Sequence, residues 1–311
     1  MKIGMFFFLF LTNKSRSENE KNVQSINIDC KFMKKIITLS FLLLTVLTFA
    51  QKKEKVKGSK IVKLEQKQVD NFESIEVEDN IEVFLVKGDE CGLEIEADDN
   101  IIEFVDYKLA GKNLRISTSR DLSSYKKLSI RIIYNDKLNM VIAKDETNVT
   151  SLSDMNLDNV TFKSYDYAKL FLNANITNFT LMANDKSKVE LNLKSQKTAI
   201  DASKSAYVKA IISSNEMKFD MYQKASADVE GDILDLKLRL DNNTDFTGKK
   251  LTAKNALVEV SGYANASINI SNIATIDASG NSEIALYGEP VKIEIKHMKD
   301  SAILRKKPTT K

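Results

Sequence analysis

The stretch Phe179-Thr180-Leu181-Met182-Ala183-Asn184-Asp185-Lys186-Ser187-Lys188-Val189-Glu190-Leu191-Asn192-Leu193 decides the fold. It alternates apolar and polar residues with period two, turns at Asn184-Asp185-Lys186, and alternates again, which reads as two short half-buried strands around a tight corner. The unit recurs. Aligned on a small residue at its corner, the column between Val160 and Lys307 reads Ala168, Ser187, Ala206, Ala225, Thr244, Ala264, Ser282, Ser301. The spacings are 19, 19, 19, 19, 20, 18 and 19 residues. Six residues before each anchor stand Phe162, Leu181, Ile200, Phe219, Leu238, Val258, Ile276 and Ile295, and two after it Leu170, Val189, Val208, Ala227, Phe246, Ala266, Ile284 and Ile303. Every member of both columns is apolar. No unit of this size can bury such a face alone, so the repeat predicts coils stacked on one another around a shared core.

The expected fold is therefore all-β, a single parallel β-helix or solenoid with coils of about 19 residues, each made of two strands and two turns. A repeated β-meander has the same period and stays open as an alternative, although the Asn-Gly and Asp-Gly pairs that two-residue hairpins prefer are infrequent. The column four before the anchor (Ser164, Ala183, Ala202, Met221, Leu240, Val260, Ala278, His297) is small or apolar until its last member, and is expected to face inward. The corner column, two before the anchor, reads Asp166, Asp185, Lys204, Gln223, Asn242, Gly262, Gly280, Lys299. Asp, Asn and Gly recur there because they tolerate a positive φ.

Upstream, from Phe72 to Asp136, five further segments alternate with period two between turn-formers, but less regularly. They read as irregular first coils continuous with the solenoid, so that the domain spans 72–307; a separate small β-domain over 72–135 is the competing organisation. Residues 51–71 are Lys- and Glu-rich with little periodicity and are expected to be a flexible tether. Residues 1–50 read as a leader. Met33-Lys34-Lys35 precedes an apolar run to Leu47 and the small-residue end Thr48-Phe49-Ala50, the pattern of a signal peptide over 33–50 with a cut before Gln51. Residues 1–32 read as a mis-extended start upstream of a natural Met33, the alternative being an N-terminal anchor. The run is too short to span a bilayer comfortably.

Residues 1–50 carry seven Lys/Arg and three Asp/Glu, so of 46 basic and 43 acidic side chains 39 and 40 remain, and the formal balance moves from +3 to −1. No basic stripe remains, which argues against a nucleic-acid partner. Of the two cysteines Cys30 falls in the leader, leaving Cys91 as a small core filler or one half of an intermolecular disulfide.

The last coils, Leu257-Val258-Glu259-Val260-Ser261-Gly262-Tyr263-Ala264 and Thr275-Ile276-Asp277-Ala278-Ser279-Gly280-Asn281-Ser282 through Tyr287-Gly288-Glu289-Pro290, resemble the head GIN domain family of secreted bacterial auto-transporter adhesin-like proteins. The opening Phe72-Glu73-Ser74-Ile75-Glu76-Val77 and Gly111-Lys112-Asn113-Leu114-Arg115-Ile116 are similar to that family's start. The likeness spans about Phe72 to Ile303 and departs in the middle, where Tyr165-Asp166, Asn184-Asp185, Ser203-Lys204, Tyr222-Gln223 and Asp241-Asn242 replace the corner Ser-Gly. The resemblance implies a β-solenoid and a non-enzymatic adhesion or binding role, secreted to the periplasm or cell surface of a Gram-negative bacterium, with an envelope protein or a glycan as partner.

No P-loop, dinucleotide fingerprint, CxxC or His cluster is present, so no cofactor and no metal are expected. His297, the single histidine, is expected to cap the solenoid's end. Asp166 and Asp185 should stack one coil apart, where they could bind calcium or act as an acid/base pair on a polysaccharide; Lys204 interrupts that ladder. Tyr165, Tyr167 and Tyr263, with Asn242, complete the candidate surface and corner ladder. The alternatives to a binding module are a β-helix carbohydrate-active enzyme and an inert envelope structural protein.

Overall fold

The structure, a computed structural model, describes residues 53–308; the leader and its signal-peptide reading lie outside the described residues. The chain forms β1 (Lys55–Lys57), β2 (Val62–Gln68), β3 (Ser74–Val77), β4 (Glu82–Lys87), β5 (Gly92–Asp98), β6 (Val105–Ala110), β7 (Asn113–Thr118), β8 (Asp121–Ser123), β9 (Leu128–Tyr134), β10 (Met140–Ala143) and β11 (Asn148–Ser151). The regular coils follow as β12 (Met155–Ser164), β13 (Lys169–Ala183), β14 (Lys188–Ala202), β15 (Tyr207–Met221), β16 (Ser226–Leu240), β17 (Asp245–Val260), β18 (Asn265–Ala278), β19 (Glu283–Tyr287), β20 (Lys292–Met298) and β21 (Ile303–Lys306).

From β10 onward every pairing is parallel. Leu170 lies beside Val189, Val189 beside Val208, Val208 beside Ala227 and Ala227 beside Phe246. A meander would pair neighbours antiparallel, so the fold is a parallel β-solenoid. Its inward columns are the ones the repeat identifies: Phe162, Leu181, Phe219, Leu238, Val258 and Ile276 are each fully buried, as are the anchors Ala168, Ser187, Ala206, Ala225 and Ala264. Phe162 and Phe179 stack at 5.9 Å between ring centroids, and Phe219 meets Phe246 edge-on at 5.5 Å.

The second turn of each unit is not a turn. One strand of 15 residues, such as β13, runs on through it, and the ladder skips only Thr177. There the inward set changes from Leu170, Leu172, Ala174 and Ile176 to Phe179, Leu181 and Ala183, so two consecutive outward residues bend the strand while its backbone stays paired. The 20- and 18-residue units are absorbed by bulges around Gly231 and Gly248.

The last coil departs from the sequence register. A bulge after Ile295 sets His297 beside Asp277 and Met298 beside Ala278. His297 is therefore an outward residue, its Nδ1 3.0 Å from Asp277 Oδ2, and not an inward cap. The anchor is Ala302, not Ser301, the residue opposite Ile284 is Leu304, not Ile303, and the corner falls on Asp300, not Lys299.

The first coils are irregular in a specific way. β3 pairs with β10 on one side and β7 on the other, and β4 with β11 and β9. The coil over 113–134 thus lies beneath the coil over 74–87, and the chain then returns above it. These pairings join β3 and β4 to the first strands of the stack, β10 and β11. Antiparallel β6 on β7, and β5 on β9 with β2 outside it, finish this end. The expected flexible tether over 51–71 instead contains β1, paired with β8, and β2, an edge strand. Its Lys and Glu residues are the exposed side chains of an edge, which charge protects against stray pairing.

Two carboxylates fasten this end. Asp98 is fully buried and accepts the N–H groups of Lys60 at 2.7 Å, Lys126 at 3.0 Å and Lys127 at 3.0 Å. Burial alone would raise its pKa, but the backbone donors outweigh it and hold the carboxyl below its ordinary value. Glu78 lies at a junction of three coils, 2.8 Å from both Lys144 Nζ and Arg115 Nη2. Burial opposes its charge, and the two cations override it, holding the pKa at about 2.

Gly231 adopts φ +116°, and a Cβ there would stand 2.1 Å from the Ile212 carbonyl oxygen. Gly231→Ala is expected to destabilise the chain by about 1–3 kcal/mol in denaturant unfolding. Gln223, at φ 65°, is the opposite case: Gln223→Gly should be neutral to about 1 kcal/mol stabilising, since relief of left-handed strain outweighs added chain entropy. Glu78 has a depressed folded pKa, so its contribution is complete above the unfolded value near 4.5 and is lost as pH falls through about 2. Glu78→Gln should cost on the order of 1–3 kcal/mol at pH 7 and converge with the parent chain near pH 2, measured as unfolding free energy against pH.

Candidate functional site

The corner column forms a ridge along the solenoid. Asp79, Asp145, Asp166, Asp185, Lys204, Gln223, Asn242, Gly262, Gly280 and Asp300 all have φ between 55° and 76°. At each regular corner the carbonyl of the left-handed residue accepts the N–H one past the equivalent residue of the next coil: Lys186 to Asp166 at 2.8 Å, Ser205 to Asp185 at 2.7 Å, Tyr263 to Asn242 at 2.7 Å. That leaves the left-handed residue's own N–H pointing along the ridge.

The aspartates answer it. Asp145 Oδ2 accepts the Asp79 N–H at 2.9 Å, Asp166 Oδ2 that of Asp145 at 3.4 Å, and Asp185 Oδ2 that of Asp166 at 3.4 Å. Lys53 closes the lower end on Asp79 at 2.6 Å, and Lys204 closes the upper end on Asp185 at 2.5 Å. The Lys204 hydrogen bond lowers the Asp185 pKa, with burial opposing and the Asp166 N–H assisting. Asp166 and Asp185 do stack, as expected, but as structural acceptors in a closed chain. Among the described residues no group of three or more His, Cys, Asp or Glu side chains is placed to hold a metal ion.

The tyrosines do not form a ladder. Tyr167 is 55% exposed, with Lys186 Nζ 3.2 Å from its hydroxyl and 5.1 Å from its ring centroid. Tyr263 is 64% exposed and occupies the same column five coils away, about 24 Å at the usual strand spacing. Tyr165 sits half-buried on the other side of the ridge, in the column of Tyr222. Asn242 joins the ridge through its backbone, its N–H donating to Asp241 Oδ1 at 2.8 Å.

Two features escape the sequence reading. The first is a polar groove of about 540 Å³ along the strand bend, lined by Asn156, Asn175, Thr177, Lys194, Ser195 and Ser213 among others. Its amides repeat from coil to coil, with Asn175 Nδ2 donating to Asn156 Oδ1 at 3.2 Å and Asn178 Nδ2 to Asn159 Oδ1 at 2.8 Å just outside it. The column continues Asn156, Asn175, Lys194, Ser213, each beside the next. The second feature is Asp220, an outward strand residue only 3% exposed. Its Oδ2 meets Lys218 Nζ at 2.6 Å, and its Oδ1 has no hydrogen-bond partner among the described residues. Asp201 stands beside it one coil earlier, its pKa raised by burial and then by the Asp220 charge. Arg239, beside Asp220 on the next coil, lies 5.3 Å from the Tyr222 ring instead of on the carboxylate. Cys91 is buried, its Sγ 3.6 Å from Asn71 Oδ1.

A family model described as "Putative auto-transporter adhesin, head GIN domain" matches residues 71–290, and the chain belongs to that family. Solved structures with the same fold include a "putative adhesin" from Parabacteroides merdae, 14% identical with a TM-score of 0.63, the match covering 81% of this chain and 98% of that one. Another, a "putative adhesin" from Parabacteroides distasonis, is 16% identical with a TM-score of 0.60, covering 81% and 100%. A "putative lipid binding protein" from the same species is 13% identical with a TM-score of 0.59, covering 81% and 99%. No curated protein matches.

Asp201 has a raised folded pKa, so its charged form is disfavoured in the native state and costs stability as pH rises through its ordinary value of 3.8. Asp201→Asn is expected to raise the melting temperature at pH 7 by about 1–3 °C, with the gain vanishing in acid. A thermal series from about pH 3 to pH 7, which spans the titration of an ordinary carboxyl, checks it.

Proposed function

We propose that this member of the head GIN family is an exported, non-catalytic adhesion module of the periplasm or cell surface of a Gram-negative bacterium, and that the ligand it holds is an envelope glycan. The observation that carries the ligand class is the groove along the strand bend. Amide, hydroxyl and ammonium groups of Asn156, Asn175, Lys194, Ser195 and Ser213 line an open trough at coil spacing. Such a surface offers donors and acceptors to the hydroxyls of a sugar chain while enclosing no small molecule. Tyr167 and Tyr263, exposed on the opposite ridge, supply separate stacking positions for a ligand long enough to wrap an edge.

Non-catalytic binding is supported by the state of the carboxylates that a hydrolase would need. Asp166 and Asp185 are committed to backbone N–H groups and to Lys204, and no long loop interrupts the coils above them to build a cleft. The mixed charge of the outward columns, with Lys209 between Glu190 and Asp228, offers no continuous track for a phosphate backbone. No helix among the described residues is long and apolar enough to cross a membrane.

A glycan array combined with an envelope pull-down on the purified protein tests the reading. The expected result is retention of a glycan class, weakened about tenfold or more by Asn175→Ala with Ser213→Ala, at an unchanged melting temperature. Tyr167→Ala with Tyr263→Ala should weaken the longest glycans selectively. Capture of a protein with no glycan bound would overturn the ligand class. Polysaccharide turnover abolished by Asp166→Asn or Asp185→Asn would overturn the non-catalytic reading.

A further inference from the structure

The two ends of the solenoid differ. The N-terminal end is finished by antiparallel strands, whereas β20 pairs only with β18 and β21 only with β19 among the described residues, leaving one edge of each open. This end carries a run of exposed large apolar residues: Val291 is 83% exposed, Ile295 55%, Ile293 45% and Met298 36%. Ile293 and Ile295 stand over Ala274 and Ile276, so they lie at the top of the core column with no further coil above them among the described residues.

We propose that this end docks a second copy of the chain, with β20 pairing antiparallel to its equivalent about a two-fold axis through Ile293. The argument is the self-complementarity of Val291-Lys292-Ile293-Glu294-Ile295. Reversed against itself about Ile293, Ile meets Ile at the axis, each Lys292 faces a Glu294, and each Val291 faces an Ile295. The apolar residues all fall on one side of the strand and the charges on the other, as period two requires. Within one copy Lys292 and Glu294 already form an ion pair, and the pairing extends it into a four-charge set of alternating sign.

The ends of the segment fit the same register. Pro290, just before Val291, cannot donate to a ladder, and the bulge after Ile295 breaks the pleat. Pairing is thereby confined to five residues. A two-fold contact of this kind occupies the same β20 segment of both copies, giving a closed dimer. A head-to-tail stack would need a parallel edge at the N-terminal end of the β20 column, where the outer strand, β6, runs antiparallel to β7.

Sedimentation velocity on the purified protein across the micromolar range tests the proposal. The expected behaviour is a reversible monomer–dimer equilibrium that Lys292→Glu weakens roughly tenfold or more by placing like charges opposite each other. The double exchange Lys292→Glu with Glu294→Lys should restore it. Ile293→Cys, on an otherwise unaltered face, should give a disulfide-linked dimer on mild oxidation, because residues facing each other across the axis lie within disulfide reach. Cys91 is buried and does not compete. A monomer at all concentrations, a dimer indifferent to Lys292→Glu, or an Ile293→Cys chain that does not cross-link would each overturn the proposal.

Discussion

One hydrogen bond, repeated, governs the molecule. At each corner the carbonyl of a left-handed residue accepts an N–H from the next coil at 2.7–2.9 Å, as between Asp145 and Tyr167 or Gly280 and Ser301. Because the donor always stands one residue past the position equivalent to the acceptor, the bond requires every coil to close after nearly the same number of residues. The bulges near Gly231 and Gly248 exist to meet that condition where a unit runs one residue long or short. The left-handed conformation comes with it, which is why Lys204 and Gln223 accept positive φ angles at a steric cost.

The requirement divides the sequence into constrained and unconstrained positions. Inward columns must be apolar and of complementary size; corners must turn; everything facing outward is limited only by strand propensity and solubility. Solved structures share the fold at 13–16% identity, in line with so few fixed positions. Outward columns can thus change without disturbing the core. Asp220 is the exception. It points outward yet is buried, and Lys218 satisfies only one of its two oxygens.

What the sequence makes legible follows from this division. The columns through Leu181 and Ala206 can be read because burial imposes them at fixed spacing. His297 is misplaced by counting because the extra residue at the bulge before it leaves no compositional mark; Asp300, not Lys299, proves to be the corner. β2 reads as a tether because an edge strand covered on one side shows little periodicity. The pairing of Asp79 with Asp145 spans 66 residues and obeys no repeat, so only coordinates reveal it. The groove is invisible for a related reason. Asn175 and Ser213 carry no pattern that distinguishes a binding column from a solvated one.

The out-of-order coil at the N-terminal end has a consequence for biogenesis. β3 and β4 are made early, yet the strands that flank them, β7 and β9 below and β10 and β11 above, lie between residues 113 and 151. A chain emerging N-terminus first cannot seat these strands as they appear. The later coils carry no such debt, since each needs only its predecessor as a template. Templated winding of the later coils thus has its first complete coil to build on only once the strands up to residue 151 are available.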